Sequence, residues 1–193
     1  VMGSSSGGSH ALACAAQLPD RVSAVVCFAA VAPFTGDEHW FAGMADDGAL
    51  RAATAGRAAR MRHAERSEFD PETFTAADHA ALSSAWAPTG VAADRAAWSA
   101  MGVDAGTAGR ACPDGQVDDD IALVSPWAAD LAAVEAPVLL VQGDEDRVVP
   151  RRHAERIAHT LGQSEIWFRP DDGHISVLDA CPQAMDWVLQ VAR

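Results

Sequence analysis

Three short stretches of this chain carry residues that could perform nucleophilic chemistry together. The first is Gly3-x-Ser5-x-Gly7. A serine among small neighbours can occupy a sharp turn between a strand and a helix, with its hydroxyl lifted above the strand ends. The amide of the next residue, Ser6, then lies at a helix N-terminus, where it can donate to a developing oxyanion. The second stretch is Gly143-Asp144-Glu145-Asp146-Arg147-Val148-Val149-Pro150. One carboxylate there could orient an imidazole and stabilise its cation, and spacing alone leaves all three acids open. The third, Asp171-Asp172-Gly173-His174, supplies a histidine able to act as base.

Each stretch has a plainer reading: a flexible Gly/Ser turn, solvated turn acids, a structural histidine. Phosphate binding is excluded more firmly. The glycines lack the G-x-G-x-x-G spacing, and Ser9 stands where a P-loop requires lysine, a residue this chain does not contain. His153 and His159 are six residues apart and share no helix face, and no H-E-x-x-H occurs, so no metal site is expected. What raises the three stretches is their joint order, serine then acid then histidine, each just after an expected strand.

The elements that must position them alternate. Val1 to Gly8 reads as the last residues of a strand running into a glycine-rich turn, and Ser9 to Leu18 as an alanine-rich helix stopped by Pro19-Asp20. Val22 to Ala32 is a near-continuous apolar run, as in a strand buried on both faces. From Phe34 to Ser125 no strand is evident, and helices are expected over Asp46–Arg66 and Ala76–Trp86. A stretch that long between two strands is an insertion rather than a crossover. Then come a short helix over Trp127–Val134, a strand from Pro137 to Val141, an amphipathic helix over Arg151–Leu161, a strand over Glu165–Phe168 and a closing helix over Leu178–Val191. Strands alternating with helices at this spacing predict an α/β class with a parallel sheet.

Composition bounds the partners. The 193 residues are 49% hydrophobic and 21% charged, which fits a folded domain and excludes wholesale disorder. A net charge of −13 disfavours nucleic acid and anionic membrane surfaces as partners. Four scattered cysteines without a C-x-x-C pair suit a reduced, cytoplasmic chain. No apolar run approaches the roughly 20 residues that span a bilayer.

The stretches GSSSGGSHALACAAQLPDRVSAVVCFAAVAPF, DDDIALVSPWAADLAAVEAPVLLVQGDEDRVVP and FRPDDGHISVL resemble the α/β-hydrolase superfamily, in particular esterase-like members with a helical cap. The likeness is loose over residues 35–115. It implies a G-x-x-D-x-x-V-P pattern in which the acid is Asp146 rather than Asp144 or Glu145. It also implies Ser5 as nucleophile and His174 as base, with core segments at 1–34 and 126–193 and a cap at 35–125. Trp40, Phe41, Met44, Trp86 and Trp98 would line an apolar substrate pocket beneath that cap. Family members carry further strands before the elbow and a loop with a second oxyanion amide, which this sequence lacks. The resemblance therefore implies a fragment of a longer hydrolase, and losing one oxyanion donor costs about 10²–10³ in rate. The expected activity is cleavage of carboxylic esters, or related acyl bonds, of small apolar molecules with no cofactor. The alternatives are a proline-releasing aminopeptidase and an inert remnant acting as a binding module.

Overall fold

The computed structural model describes residues 1–66, 71–81, 100, 107 and 113–192. Four strands, β1 (Met2–Ser4), β2 (Val25–Phe28), β3 (Val138–Gly143) and β4 (Ser164–Arg169), form a parallel sheet in the order β1-β2-β3-β4. Helix α1 (Ser6–Gln17) joins β1 to β2. Helices α2 (Gly48–Thr54), α3 (Arg57–Ala64), α4 (Ala76–Ala81) and α5 (Asp114–Leu123) lie between β2 and β3 in sequence. Helix α6 (Arg152–Thr160) joins β3 to β4, and α7 (Cys181–Val191) follows β4.

The apolar runs explain this layering. Successive side chains of a strand point to opposite faces, so a strand covered on both sides must be apolar at every position. Val25 and Cys27 of β2, with Val138 and Leu140 of β3, join Leu12 and Ala15 of α1 and Ile157 of α6 in one cluster. Val26, Phe28, Leu139 and Val141 join Val177, Leu178 and Ala184 in the other, with Trp187 against it. Complete burial of one such valine or leucine side chain is worth about 1.5–3 kcal/mol. A third cluster, with Val31, Trp40, Phe41, Leu123 and Val149, roots the segment between β2 and β3 on the C-terminal side of the sheet. Within that segment Arg60, itself buried, pairs with Asp120 at 2.6 Å, tying α3 to α5.

Several expected elements are shorter or broken, each for a local reason. The strand expected over Val22–Ala32 ends at Phe28, because Ala29 takes a positive φ of 48°. Ala29 to Ala32 stay buried as a loop in which Ala29 N–H donates to Val141 O and side chains meet three further backbone groups: Ser9 Oγ donates to Val31 O, the Trp40 indole N–H to Ala32 O, and Ala32 N–H to His153 Nδ1. The helix expected over Asp46–Arg66 is two helices, parted at Gly56 with φ 93°. Over Trp127–Val134 only a 3₁₀ turn at Leu131–Ala133 forms, where the Asp130 carboxylate accepts from Ala132 N–H and favours a turn. The last helix starts at Cys181 behind a 3₁₀ turn at Ser176–Ala180, with Pro182 fixing its first turn. The end expected for the Ala76–Trp86 helix lies outside the described residues. No described helix is long and apolar enough to cross a membrane.

His153 is held neutral by this loop. Its Nδ1 accepts from Ala32 and its Nε2 donates to Trp40 O at 3.0 Å, while burial pushes its pKa from 6.5 down to about 4. The unfolded chain binds a proton near pH 6.5, whereas native His153 resists until about pH 4, so its contribution is whole above that window and drains away as pH falls through it. The drain amounts to about 3 kcal/mol. Thermal melts across the window should show Tm falling with pH, and His153→Gln should flatten the fall; an equal slope in the variant would exclude His153 as its source.

Candidate active site

Ser5 is the single residue between β1 and α1, and it takes φ 56° and ψ −128°. A residue with a Cβ persists there only when its surroundings hold it, at a cost of about 1–3 kcal/mol. Two bonds hold it: Ser5 N–H donates to Phe28 O at 2.8 Å, and Gly8 N–H to Ser5 O at 3.0 Å. Close packing explains two glycines. A Cβ on Gly3 would lie 2.1 Å from Gly7 O, and one on Gly8 would lie 2.6 Å from the Ala30 Cβ. Gly7 differs from expectation, since a Cβ there meets nothing described within 4 Å. The turn needs Gly3 and Gly8, not the last glycine of the pentapeptide. Ser6 opens α1, whose start has neither a side-chain cap nor an acid in its first turn, so the positive end of the helix faces negative charge there without competition from a capping side chain.

Asp146 and His174 meet. Both are buried, and His174 Nδ1 lies 2.9 Å from Asp146 Oδ2. The other oxygen, Oδ1, accepts from the N–H groups of Val148 and Val149, both at 2.8 Å, which is why the acid stands just before this turn. Gln142 adds a third grip: its Nε2 donates to Asp146 Oδ2 at 3.3 Å and to the carbonyls of Gly143 and Val149. Asp144, by contrast, pairs with Arg151, and Glu145 is exposed. With Nδ1 facing a carboxylate, the imidazole keeps Nε2 for proton transfer.

The sheet edge aligns these loops. Ser4 pairs with Phe28, Phe28 with Val141 and Gly143 with Arg169, so Ser5, Asp146 and His174 all follow the C-terminal ends of parallel strands, β1, β3 and β4, of one sheet. Among the described residues the Ser5 hydroxyl makes no hydrogen bond to His174; two of the three expected residues are joined and the third stands at the same edge. Gly143 lets the histidine loop approach, because a Cβ on it would lie 2.3 Å from Asp172 O and 2.6 Å from Gly173 O. Gly143→Ala should therefore destabilise the chain by about 1–3 kcal/mol, read as a lower denaturation midpoint. An unchanged midpoint would mean that this approach is not tight.

The expected pocket lining is revised. Trp40 and Phe41 are only 1% and 5% exposed and are locked into the third cluster, with the Trp40 ring edge-on to Phe34, Phe41 and His153. Both pack as core, with the indole N–H of Trp40 donating to Ala32 O. Met44 is half-buried against the same cluster, and Trp86 and Trp98 lie outside the described residues. Burial pushes the Cys27 thiol up to about 12 and the Cys181 thiol up to about 11, which removes both as nucleophiles. No group of three or more potential metal ligands is found among the described residues.

Two participants escaped sequence reasoning. Gln142 falls just past the strand expected from Pro137 to Val141, and nothing around it in the sequence marks a contact with Asp146. Asp78, at the start of α4, accepts hydrogen bonds from the backbone of the histidine loop 96–98 residues away. The local signal, Thr75-x-x-Asp78, marks a helix start but not that long reach.

The family described as alpha/beta hydrolase fold matches over residues 1–180. No curated protein matches the chain. Among solved structures, a hydrolase from Pseudomonas aeruginosa shares 20% identity over 97% of this chain and 62% of its own, with a TM-score of 0.57. A thermophilic esterase from Thermogutta terrifontis shares 21% over 100% of this chain and 65% of its own, at a TM-score of 0.56. A candidate non-heme bromoperoxidase from Mycobacterium tuberculosis shares 18% over 100% of this chain and 67% of its own, at a TM-score of 0.57. The chain thus spans 62–67% of the length of these structures, and at such identities the likeness concerns the fold.

Proposed function

Because the chain belongs to the alpha/beta hydrolase fold family, we propose that it serves a serine hydrolase that cleaves carboxylic esters of small apolar molecules through Ser5, His174 and Asp146. One observation carries the reading: the buried His174 Nδ1–Asp146 Oδ2 contact of 2.9 Å, at the sheet edge where Ser5 sits in a strained turn. An imidazole fixed this way accepts a proton at Nε2 and has its cation stabilised by the carboxylate behind it.

In the proposed cycle, His174 Nε2 takes the Ser5 hydroxyl proton as Oγ bonds to the ester carbonyl carbon. The carbonyl oxygen gains the negative charge and accepts from the Ser6 amide at the start of α1. Collapse breaks the carbon–alkoxy bond, and His174 returns the proton to the leaving alcohol. Water then attacks the acyl-serine by the same route, releasing the carboxylic acid and restoring Ser5. The segment 35–125 would act as a cap, a role supported by the contact of α4 with the histidine loop. The esterase among the structural relatives favours an oxygen ester over an amide.

The test is covalent. A fluorophosphonate probe followed by peptide mapping is expected to place the adduct on Ser5; an adduct elsewhere, or none in protein that hydrolyses p-nitrophenyl butyrate, would overturn the assignment.

A further inference from the structure

Three consecutive amides of the histidine loop converge on a carboxylate that is not the one behind the imidazole. His174 N–H donates to Asp78 Oδ2 at 3.1 Å, and the N–H groups of Ile175 and Ser176 donate to Oδ1 at 2.7 and 2.8 Å. The Ser176 hydroxyl adds a fourth donor at 3.1 Å and also accepts from Gly173 N–H. On its own helix Asp78 accepts from Thr75 N–H, while Thr75 Oγ1 accepts from Asp78 N–H, a reciprocal cap. Asp78 is 1% exposed. Burial raises its pKa, and the surrounding amides outweigh that effect and hold it below the usual carboxylate value. The loop is built around this group: a Cβ on Gly173 would lie within bonding-like distance of the carboxylate and 2.7 Å from Thr75 Oγ1.

We propose that Asp78 is a positioning residue: by gripping the main chain of His174, Ile175 and Ser176 from α4, it sets the direction in which the His174 ring leaves its backbone, and so the aim of Nε2. Asp146 holds the ring at Nδ1 and Asp78 holds the backbone from which it hangs, so the imidazole is constrained at both ends. Without the carboxylate, three amides packed against α4 lose their acceptor, and the loop must shift to find another. A misplacement of about 1 Å at a reacting group can cost on the order of 10² in rate. This role rests on the hydrolase reading of Ser5, His174 and Asp146.

Asp78→Asn isolates the effect. The amide keeps the shape and can keep its oxygen toward Ile175 and Ser176, but it turns an NH₂ group toward the His174 and Thr75 amides. With p-nitrophenyl butyrate, kcat should fall about 10²-fold while KM stays within about twofold. The proton on His174 Nδ1 should move or broaden in the NMR spectrum as its geometry to Asp146 loosens. Thr75→Val, which removes only the hydroxyl of the helix cap, should leave kcat and that proton unchanged. A folded Asp78→Asn with unaltered kcat and Nδ1 proton overturns the proposal, as do equal losses in both variants, which would reduce Asp78 to a helix cap. Should Asp78→Asn not fold, Ser176→Ala removes one donor to the same carboxylate; a kcat fall of about tenfold supports the proposal and no fall overturns it. If Ser5 takes no fluorophosphonate, the hydrolase reading fails, and the Nδ1 proton alone still decides whether Asp78 orients the ring.

Discussion

Ser5→Ala is expected to abolish fluorophosphonate labelling and to lower ester turnover by about 10⁶-fold, the scale on which loss of a triad nucleophile acts. The fold should survive. Alanine at φ 56° carries the same backbone strain as serine, and the Ser5 side chain caps no helix amide, so removing the hydroxyl orphans no partner. The bonds that hold the turn, Ser5 N–H to Phe28 O and Gly8 N–H to Ser5 O, are main-chain and persist in the variant. A melting curve within about 0.5 kcal/mol of the parent is the expected companion result. Labelling retained in Ser5→Ala would put the nucleophile elsewhere.

Asp146→Asn should lower kcat/KM by about 10⁴-fold, through the proton rather than through the fold. Its Oδ1 receives the Val148 and Val149 amides, and an asparagine oxygen can keep both. The substituted position is then an NH₂ group facing His174 Nδ1, which must become an acceptor. The ring proton moves to Nε2, and an imidazole protonated there cannot take the serine proton. Gln142 Nε2, now facing another donor, adds to the mismatch. The neighbouring acids supply the control: Asp144 lies in an ion pair with Arg151 and Glu145 is exposed, so Asp144→Asn and Glu145→Gln should keep nearly full activity. A comparable loss in either would reassign the acid, and less than a tenfold loss in Asp146→Asn would remove it from the proton relay.

Much of this was legible in the chain because it is governed by local rules. The apolar runs at residues 22–32 and 137–141 disclosed strands covered on both faces, and Ser5, the acids at 144–146 and His174 could each be placed just after an expected strand, whereas the choice of Asp146 among the three acids came only from the family resemblance. What could not be read depends on contacts remote in sequence. Ala29 to Ala32 have the composition of a strand, yet Val31 and Ala32 bond through their backbone to the side chains of Ser9, Trp40 and His153, and no periodicity announces such partners. Trp40 has the character of a pocket-lining residue, and only the placement of Phe34, Phe41 and His153 around it reveals core. Asp78 is one acid among 27 in the sequence, and nothing in its neighbourhood distinguishes an exposed cap from a buried anchor.

The uneven roles of the glycines around Ser5 bear on how relatives would be recognised. Drift at position 7 meets no steric resistance from the described residues, and since glycine is the poorer helix former by about 1 kcal/mol, alanine there would be mildly favoured. Drift at positions 3 and 8 is blocked by backbone and by the Ala30 methyl. A pattern search demanding all three residues of the pentapeptide would therefore discard viable cousins. One that asks for glycine two before and three after the serine would follow the geometry that the turn enforces.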